Sequence, residues 1–106
     1  MSNNRLLVRN RAQNLPRVPA ADVFESDNAL RIVLDIPGVG PDDVDITVEA
    51  DELRLSTTGS RRYHRSFRLP DTVDTESIEA TVRDGLLTID LPKAERARPR
   101  KLTINP

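Results

Sequence analysis

Residues 29–58 have the sequence ALRIVLDIPGVGPDDVDITVEADELRLSTT. Within this stretch, residues 29–36 place an aliphatic side chain at every second position, and residues 44–48 do the same. A period of two is typical of β-strands that bury one face and expose the other. Proline and glycine at 37–41 and the short Ala50-Asp51-Glu52 connection favour turns between the runs. The stretch therefore predicts three consecutive antiparallel strands.

The same pattern continues to residue 91. Further strands are predicted in YHRSFRLP (63–70), IEATVR (78–83) and LLTIDL (86–91), with a hairpin turn at Asp84-Gly85. Residues 73–80 have Ile78 where a capping box needs glutamate or glutamine, so we expect a loop entering a strand and no helix. Short strands at regular spacing predict an all-β fold, an immunoglobulin-like antiparallel β-sandwich.

Composition and charge divide the 106-residue chain into three parts. Residues 1–18 carry a net charge of +4, residues 19–93 carry −8, and residues 94–106 carry +3. We expect a basic N-terminal arm, one sandwich domain and a C-terminal extension with these bounds. The basic arms either dock on the acidic body or are solvated tails. The chain has no cysteine, and the apolar run at 6–8 is too short for a signal peptide, so a cytoplasmic location is expected.

Four segments resemble the α-crystallin domain of the small heat-shock proteins. They are Asp35-Ile36-Pro37-Gly38-Val39 with the acidic stretch after it, Phe67-Arg68-Leu69-Pro70, residues 80–87 (ATVRDGLL), and Leu91-Pro92-Lys93. Their order and spacing match the family over roughly residues 19–104. The resemblance implies an oligomeric stress-response chaperone of the ATP-independent holdase type, which binds partly unfolded client proteins. It implies no enzyme activity and no cofactor.

The resemblance also assigns a role to the C-terminal extension. The family carries there an I-x-I/V motif that enters a hydrophobic groove on a neighbouring domain, and Leu102-Thr103-Ile104 has that place here. In an extended segment residues 102 and 104 point the same way, so two aliphatic side chains can enter adjacent pockets. The alternative is that residues 102–104 add a strand to their own sheet. The predicted groove is lined by Val44, Ile46, Val48, Ile78, Ala80 and Val82.

Arg65 interrupts an otherwise apolar strand face that includes Tyr63 and Phe67. A guanidinium on such a face needs a carboxylate or an interface to compensate its desolvation, or it lies at an edge and extends to water. The resemblance matches it to a family arginine at the subunit interface. We therefore predict that Arg65, Tyr63 and Phe67 contribute to a subunit interface.

The chain differs from the family in two places. Only residues 59–62 separate two strands where many bacterial and plant members have a long loop with an exchanged strand, so a direct hairpin is expected. A dimer through the strand edge around 61–68 then remains open, as in the animal members. The N-terminal arm, about 18 residues, has no aromatic residue. Both absences also fit a p23/CS-like co-chaperone, a partner-binding adaptor without holdase activity, which is the alternative.

Other functions have weaker support in the sequence. The only histidine, His64, is two residues from Ser66, which is a common arrangement on a strand and no argument for a catalytic triad. The aspartates at 42, 43 and 45 lack the spacing of a calcium loop, and no glycine-rich phosphate loop is present. Basic residues at 61–68 alternate with aromatic ones, but the acidic body opposes binding to phosphates. We expect no metal, no nucleic acid and no membrane among the partners.

Overall fold

A computed structural model describes residues 15–106, and residues 1–14 with most of the predicted N-terminal arm lie outside the described part. Two antiparallel sheets form a sandwich, as the sequence predicts. The first sheet has the order β1-β2-β7-β6 and the second has the order β3-β4-β5. The strands are β1 (Ala21–Glu25), β2 (Ala29–Asp35), β3 (Val44–Glu49), β4 (Glu52–Thr57), β5 (His64–Arg68), β6 (Glu79–Arg83) and β7 (Leu86–Pro92).

The core is formed by the inward faces of the central strands, where the alternation of the sequence is strictest. Leu34, Leu53 and Leu55 are completely buried, and so are Leu87, Ile89 and Leu91 of β7. The register aligns these faces, since Leu34 is opposite Leu87 and Ile32 is opposite Ile89. Stacked sheets whose inward side chains interdigitate are the usual basis of a β-sandwich.

The connections follow the predicted turn chemistry. Asp84 and Gly85 have positive φ angles of 52° and 77°, as a two-residue hairpin between β6 and β7 requires. A β-carbon at Gly85 would lie 3.2 Å from the Cα of Pro37, so this turn also packs against the turn after β2. Strands β4 and β5 pair directly, which confirms the predicted hairpin across the short loop.

Buried Thr57 organises the loop between β4 and β5. Its hydroxyl donates to the carbonyl oxygen of Arg61 (3.0 Å) and accepts from the backbone N–H of Tyr63 (2.8 Å). The side chain of Arg61 covers Gly38, where an added β-carbon would lie 2.8 Å from its Cδ. The hydrogen bonds of Thr57 therefore hold the two ends of the short loop together, and Arg61 packs the loop against the turn after β2.

The structure adds two features that the sequence pattern does not predict. Strand β1 pairs with β2, although its sequence ADVFE has no alternation and Val23 and Phe24 are both more than half exposed. Residues 75–77, expected within a loop, form a 3-10 helix capped by Asp74, whose carboxylate accepts from the backbone N–H of Glu76 (3.1 Å). Among residues 15–106 no helix has the length and apolar character needed to cross a bilayer.

Candidate protein-binding site

Strands β3 and β6 are edge strands, one in each sheet, and they lie on the same side of the sandwich. Because each has a partner on one side only, the side chains that point between the sheets are less covered than those of the central strands. Val44 and Ile46 on β3 and Val82 on β6 are half-buried, while Ala80 is exposed. The gap between the two edges is therefore lined by aliphatic groups that remain accessible.

This gap contains a cavity of about 200 Å³. Four of the six predicted groove residues line it, namely Val44, Ile46, Ala80 and Val82. Small-molecule sites usually have roughly 300–1,000 Å³, so the cavity is small for a metabolite. Its size and apolar lining suit individual aliphatic side chains of a peptide.

Two predicted groove residues do not line the cavity, and two others do. Val48, 38% exposed, lies further along β3, and Ile78 precedes β6 and packs against the core. Pro41 and Leu87 complete the lining. Leu87 is opposite Val82 in the β6–β7 hairpin, a register that the Asp84-Gly85 turn already specifies. Pro41 begins the 3-10 helix Pro41–Asp43 that leads into β3, a placement that the strand pattern does not reveal.

The groove has an acidic border. The segments 41–49 and 79–83 carry five acidic side chains and one basic side chain, Arg83. One of the acids, Asp43, is tied to the β4–β5 loop, because its carbonyl oxygen accepts from the backbone N–H of Thr58 (2.8 Å). In the part of the chain that the structure describes, no group of three or more potential ligands is arranged to hold a metal ion.

The C-terminal residues project from the body without pairing to it. Residues 99–106 contain no strand, and Leu102 and Ile104 are 76% and 89% exposed. The alternative in which residues 102–104 extend their own sheet is therefore not what the structure has. The side chain of Thr103 is exposed as well. Two large aliphatic groups two residues apart are left in solvent, on the same chain as an open aliphatic groove.

Of the predicted interface residues, Arg65 and Phe67 lie on β5 and Tyr63 directly precedes it; Arg65 and Tyr63 contact the chain's own N-terminal segment. The guanidinium of Arg65 donates to the carbonyl oxygen of Pro19 (3.0 Å) and lies 4.9 Å from the ring centroid of Phe67. Tyr63 is buried, 9% exposed, in the core of its own chain. Arg17 covers the start of this edge, since its N–H donates to the carbonyl oxygen of Arg62 and its carbonyl oxygen accepts from the N–H of His64. Whether these residues contact another subunit stays a prediction.

Two antiparallel sheets with an accessible aliphatic groove between their edge strands define an immunoglobulin-like β-sandwich, and the comparisons with known proteins place this sandwich in a family. Residues 22–105 match the sequence model of the Hsp20/alpha crystallin family. The chain belongs to this family, that of the small heat-shock proteins. This match confirms the family predicted from the sequence motifs, and its range includes Leu102 and Ile104.

Individual relatives support the same assignment. The chain is 29% identical to spore protein SP21 of Stigmatella aurantiaca, over 82% of this chain and 62% of that protein. It is 31% identical to 18 kDa antigen 2 of Mycobacterium avium, over 85% of this chain and 76% of that protein. The chain thus spans less than two thirds of the first relative and about three quarters of the second.

A solved structure has the same architecture. The small heat-shock protein of Xylella fastidiosa, whose crystal structure is described as revealing a distinct high order structure, superposes with a TM-score of 0.71. It is 27% identical, and the match covers 87% of this chain and all of that chain. The immunoglobulin-like sandwich predicted from the sequence is confirmed by this likeness.

Proposed function

We propose that this protein is an ATP-independent holdase chaperone that binds partly unfolded proteins and prevents their aggregation. The observation that carries the proposal is the open aliphatic groove between β3 and β6 on a chain whose Leu102 and Ile104 are exposed. Apolar surface in contact with water favours association with other apolar surface, and this requires no nucleotide. Unfolding proteins expose extended apolar segments, which are suitable occupants for such a groove.

The resting occupant of the groove is the Leu102-Thr103-Ile104 segment of a neighbouring subunit. Val44 and Ile46 on one wall and Ala80 and Val82 on the other form an aliphatic lining for two side chains that point the same way. The chain then forms a homo-oligomer whose grooves are covered by tails. Dissociation of a tail exposes a groove to a client, which is a shift between populations of covered and open grooves.

Charge also favours this occupant. Arg100 and Lys101 directly precede Leu102, while the strands and turn that border the groove carry an excess of four negative charges. Opposite charges at exposed positions attract within a Debye length of about 8 Å at physiological salt. We expect association of the tail with the groove to weaken as salt is added, while the apolar contact sets most of the affinity.

The holdase proposal is tested by light scattering from a heat-aggregating client protein in nucleotide-free buffer. We expect near-stoichiometric amounts of the chain to suppress the scattering. A matched pair of variants on β3 provides the control: Val44→Asp changes a groove residue and Val48→Asp a residue outside the cavity. Loss of suppression in the first and not the second supports the groove as the client site. No suppression by the folded wild-type chain would contradict the holdase.

The occupancy of the groove by the tail is tested with a labelled peptide of residues 99–106. We expect it to bind the variant Leu102→Ala with Ile104→Ala, whose grooves are empty, and to be displaced by unlabelled peptide. The same double variant should form smaller assemblies than the wild type in sedimentation. An unchanged mass together with no peptide binding would exclude the tail as the occupant. A monomeric wild type that holds no client and retains one specific protein in a pull-down would instead support the p23/CS-like alternative.

A further inference from the structure

The C-terminal extension, residues 94–106, consists of one part that is held to the sandwich and one part that is not. Residues 94–98 are fastened to the sandwich, and residues 99–106 have no hydrogen bond to it among those that the structure describes. The sequence pattern alone groups residues 94–106 as one polar extension. The difference between the two parts matters because only the second part carries Leu102 and Ile104.

The contacts that hold residues 94–98 to the sandwich begin directly after β7, at Lys93. The backbone N–H of Lys93 donates to the carbonyl oxygen of Asn28 (2.8 Å), and that of Ala94 donates to the carbonyl oxygen of Thr72 (2.6 Å). The ammonium of Lys93 lies 3.1 Å from a carboxylate oxygen of Glu25, and only 15% of this lysine side chain is exposed. The chain therefore leaves β7 held to β1, to the turn before β2 and to the segment before the 3-10 helix at 75–77.

Two arginines continue the fastening through the 3-10 helix Glu95–Ala97. The guanidinium of Arg96 donates to the carbonyl oxygen of Asp71 (2.9 Å), and Nε of Arg98 donates to the carbonyl oxygen of Lys93 (2.9 Å). The backbone N–H groups of Ala97 and Arg98 donate to Ala94 and Glu95 (2.8 and 3.2 Å). A single turn of 3-10 helix has little stability by itself, so the contacts of the two side chains fix its place and direction.

The free segment before Leu102 is consequently short. Only Pro99, Arg100 and Lys101 separate it from Arg98, and four residue steps reach at most about 14 Å. If the extension were free from Lys93 onward, nine steps would reach about 32 Å. Pro99 restricts its own backbone and that of Arg98, which narrows the range of directions further.

We propose that Arg96 and Arg98 are positioning residues for the tail: they fix where Leu102 and Ile104 leave the body and so limit the subunit spacing that tail binding can bridge. This inference rests on the proposed occupancy of the groove by the tail of a second copy. The arginines do not touch the groove themselves. They determine which neighbouring groove is within reach, so a uniform assembly depends on them while the affinity of one tail for one groove does not.

The test compares the distribution of subunit numbers by native mass spectrometry. Arg96→Ala with Arg98→Ala should still assemble but with a broader distribution than the wild type. The matched control, Arg31→Ala with Arg54→Ala, removes two positive charges from exposed ion pairs on β2 and β4, away from the extension and the groove lining, and should keep the narrow distribution. Inserting Gly-Ser-Gly-Ser between Arg98 and Pro99 leaves the fastened part intact, lengthens the free part and should broaden the distribution as the arginine variant does.

A second measurement follows the fastening directly. Amide hydrogen exchange at Ala97 and Arg98 should become severalfold faster in the Arg96→Ala, Arg98→Ala variant and stay unchanged in the Arg31→Ala, Arg54→Ala control. An arginine variant with the narrow wild-type distribution, or a broadening equal in the control, would overturn the inference. These outcomes differ from failure of the proposed function, in which Leu102→Ala with Ile104→Ala leaves the assembly mass unchanged.

Discussion

Strands β6 and β7 form one hairpin with the same alternating pattern, yet their inward side chains differ in exposure. Leu87, Ile89 and Leu91 of β7 are completely buried, whereas Val82 of β6 is half-buried and Ala80 is exposed. The difference arises from position in the sheet, because β7 has a neighbour on both sides and β6 is an edge. An edge strand can therefore have a core-type sequence and still present it to a partner. The central strands stabilise the fold, and the β3 and β6 edges leave aliphatic surface available for binding.

The largest effect is expected at the centre of the sandwich. Ile89→Ala removes a completely buried side chain, and large-to-small changes of this kind typically cost about 2–5 kcal/mol. Urea denaturation followed by circular dichroism measures the change in the free energy of unfolding. Ile89→Val is the control and should lose less, since most of the side-chain volume is kept. If Ile89→Ala lowered the free energy of unfolding no more than a surface substitution does, the description of β7 as the core strand would be wrong.

A smaller effect is expected at Thr57, the buried polar residue on central strand β4. Thr57→Val keeps the shape and removes the hydroxyl, which leaves the buried N–H of Tyr63 without its acceptor. Such an unsatisfied group costs about 1–3 kcal/mol. Thr57→Ser retains the hydroxyl and should recover the part of the stability that depends on the hydrogen bond. Equal stability of the valine and serine variants would argue against this role for the hydroxyl.

At edge strand β6 we expect a substitution to affect peptide binding more than stability, the reverse of the expectation for the central strands. Val82→Ala removes half-buried methyl groups, so we expect about 1 kcal/mol or less of lost stability. Binding of the labelled 99–106 peptide, measured together with Leu102→Ala and Ile104→Ala so that the groove is empty, should nevertheless fall clearly, because Val82 lines the groove. Ile89→Ala should instead lose much of its stability and keep its affinity for the peptide, when the affinity is measured below the unfolding transition of the variant. If both variants lost stability and peptide affinity in the same proportion, centre and edge would not be functionally distinct.

The smallest effect is expected at Val48, on the same strand as Val44 but outside the cavity. Val48→Ser changes a side chain at a residue that is 38% exposed, and surface changes usually alter stability by less than about 0.5 kcal/mol. In the same Leu102→Ala, Ile104→Ala background, peptide binding should be unchanged by Val48→Ser, whereas Val44→Ser should weaken it. Fluorescence anisotropy on both variants defines how far the groove extends along β3. Equal weakening by the two would extend the groove to Val48.

Much of the fold was predictable because the alternation is regular wherever a strand has one buried face. Leu53, Leu55, Leu87 and Ile89 are all on the expected face. Strand β1 was not predictable in this way, since Val23 and Phe24 are adjacent, point to opposite faces and are both exposed. Its strand character depends on pairing with β2, a contact between segments that a local pattern does not contain.

The candidate site was predictable in part for a similar reason. Periodicity identifies Val44, Ile46 and Val82 as inward-facing, but the extent of the cavity depends on how two strands from different sheets are placed. Pro41 and Leu87 entered the lining through that placement, and Val48 and Ile78 were left outside it. The fastening of residues 94–98 was likewise not predictable, because Arg96 and Arg98 bond to backbone carbonyl groups, which no residue type marks in the sequence.

Strand β1 also bears on how the protein avoids self-aggregation. Its outer side is a sheet edge on which Val23 and Phe24 are 58% and 56% exposed, and such edges can template unwanted pairing between chains. Asp22 and Glu25 lie on the same five-residue strand, and no basic residue does. Two copies that paired through β1 would bring four carboxylates into one short ribbon. Although the ammonium of Lys93 lies 3.1 Å from the Glu25 carboxylate, the strand itself carries no cation, so like charge at this edge disfavours pairing of two copies through β1.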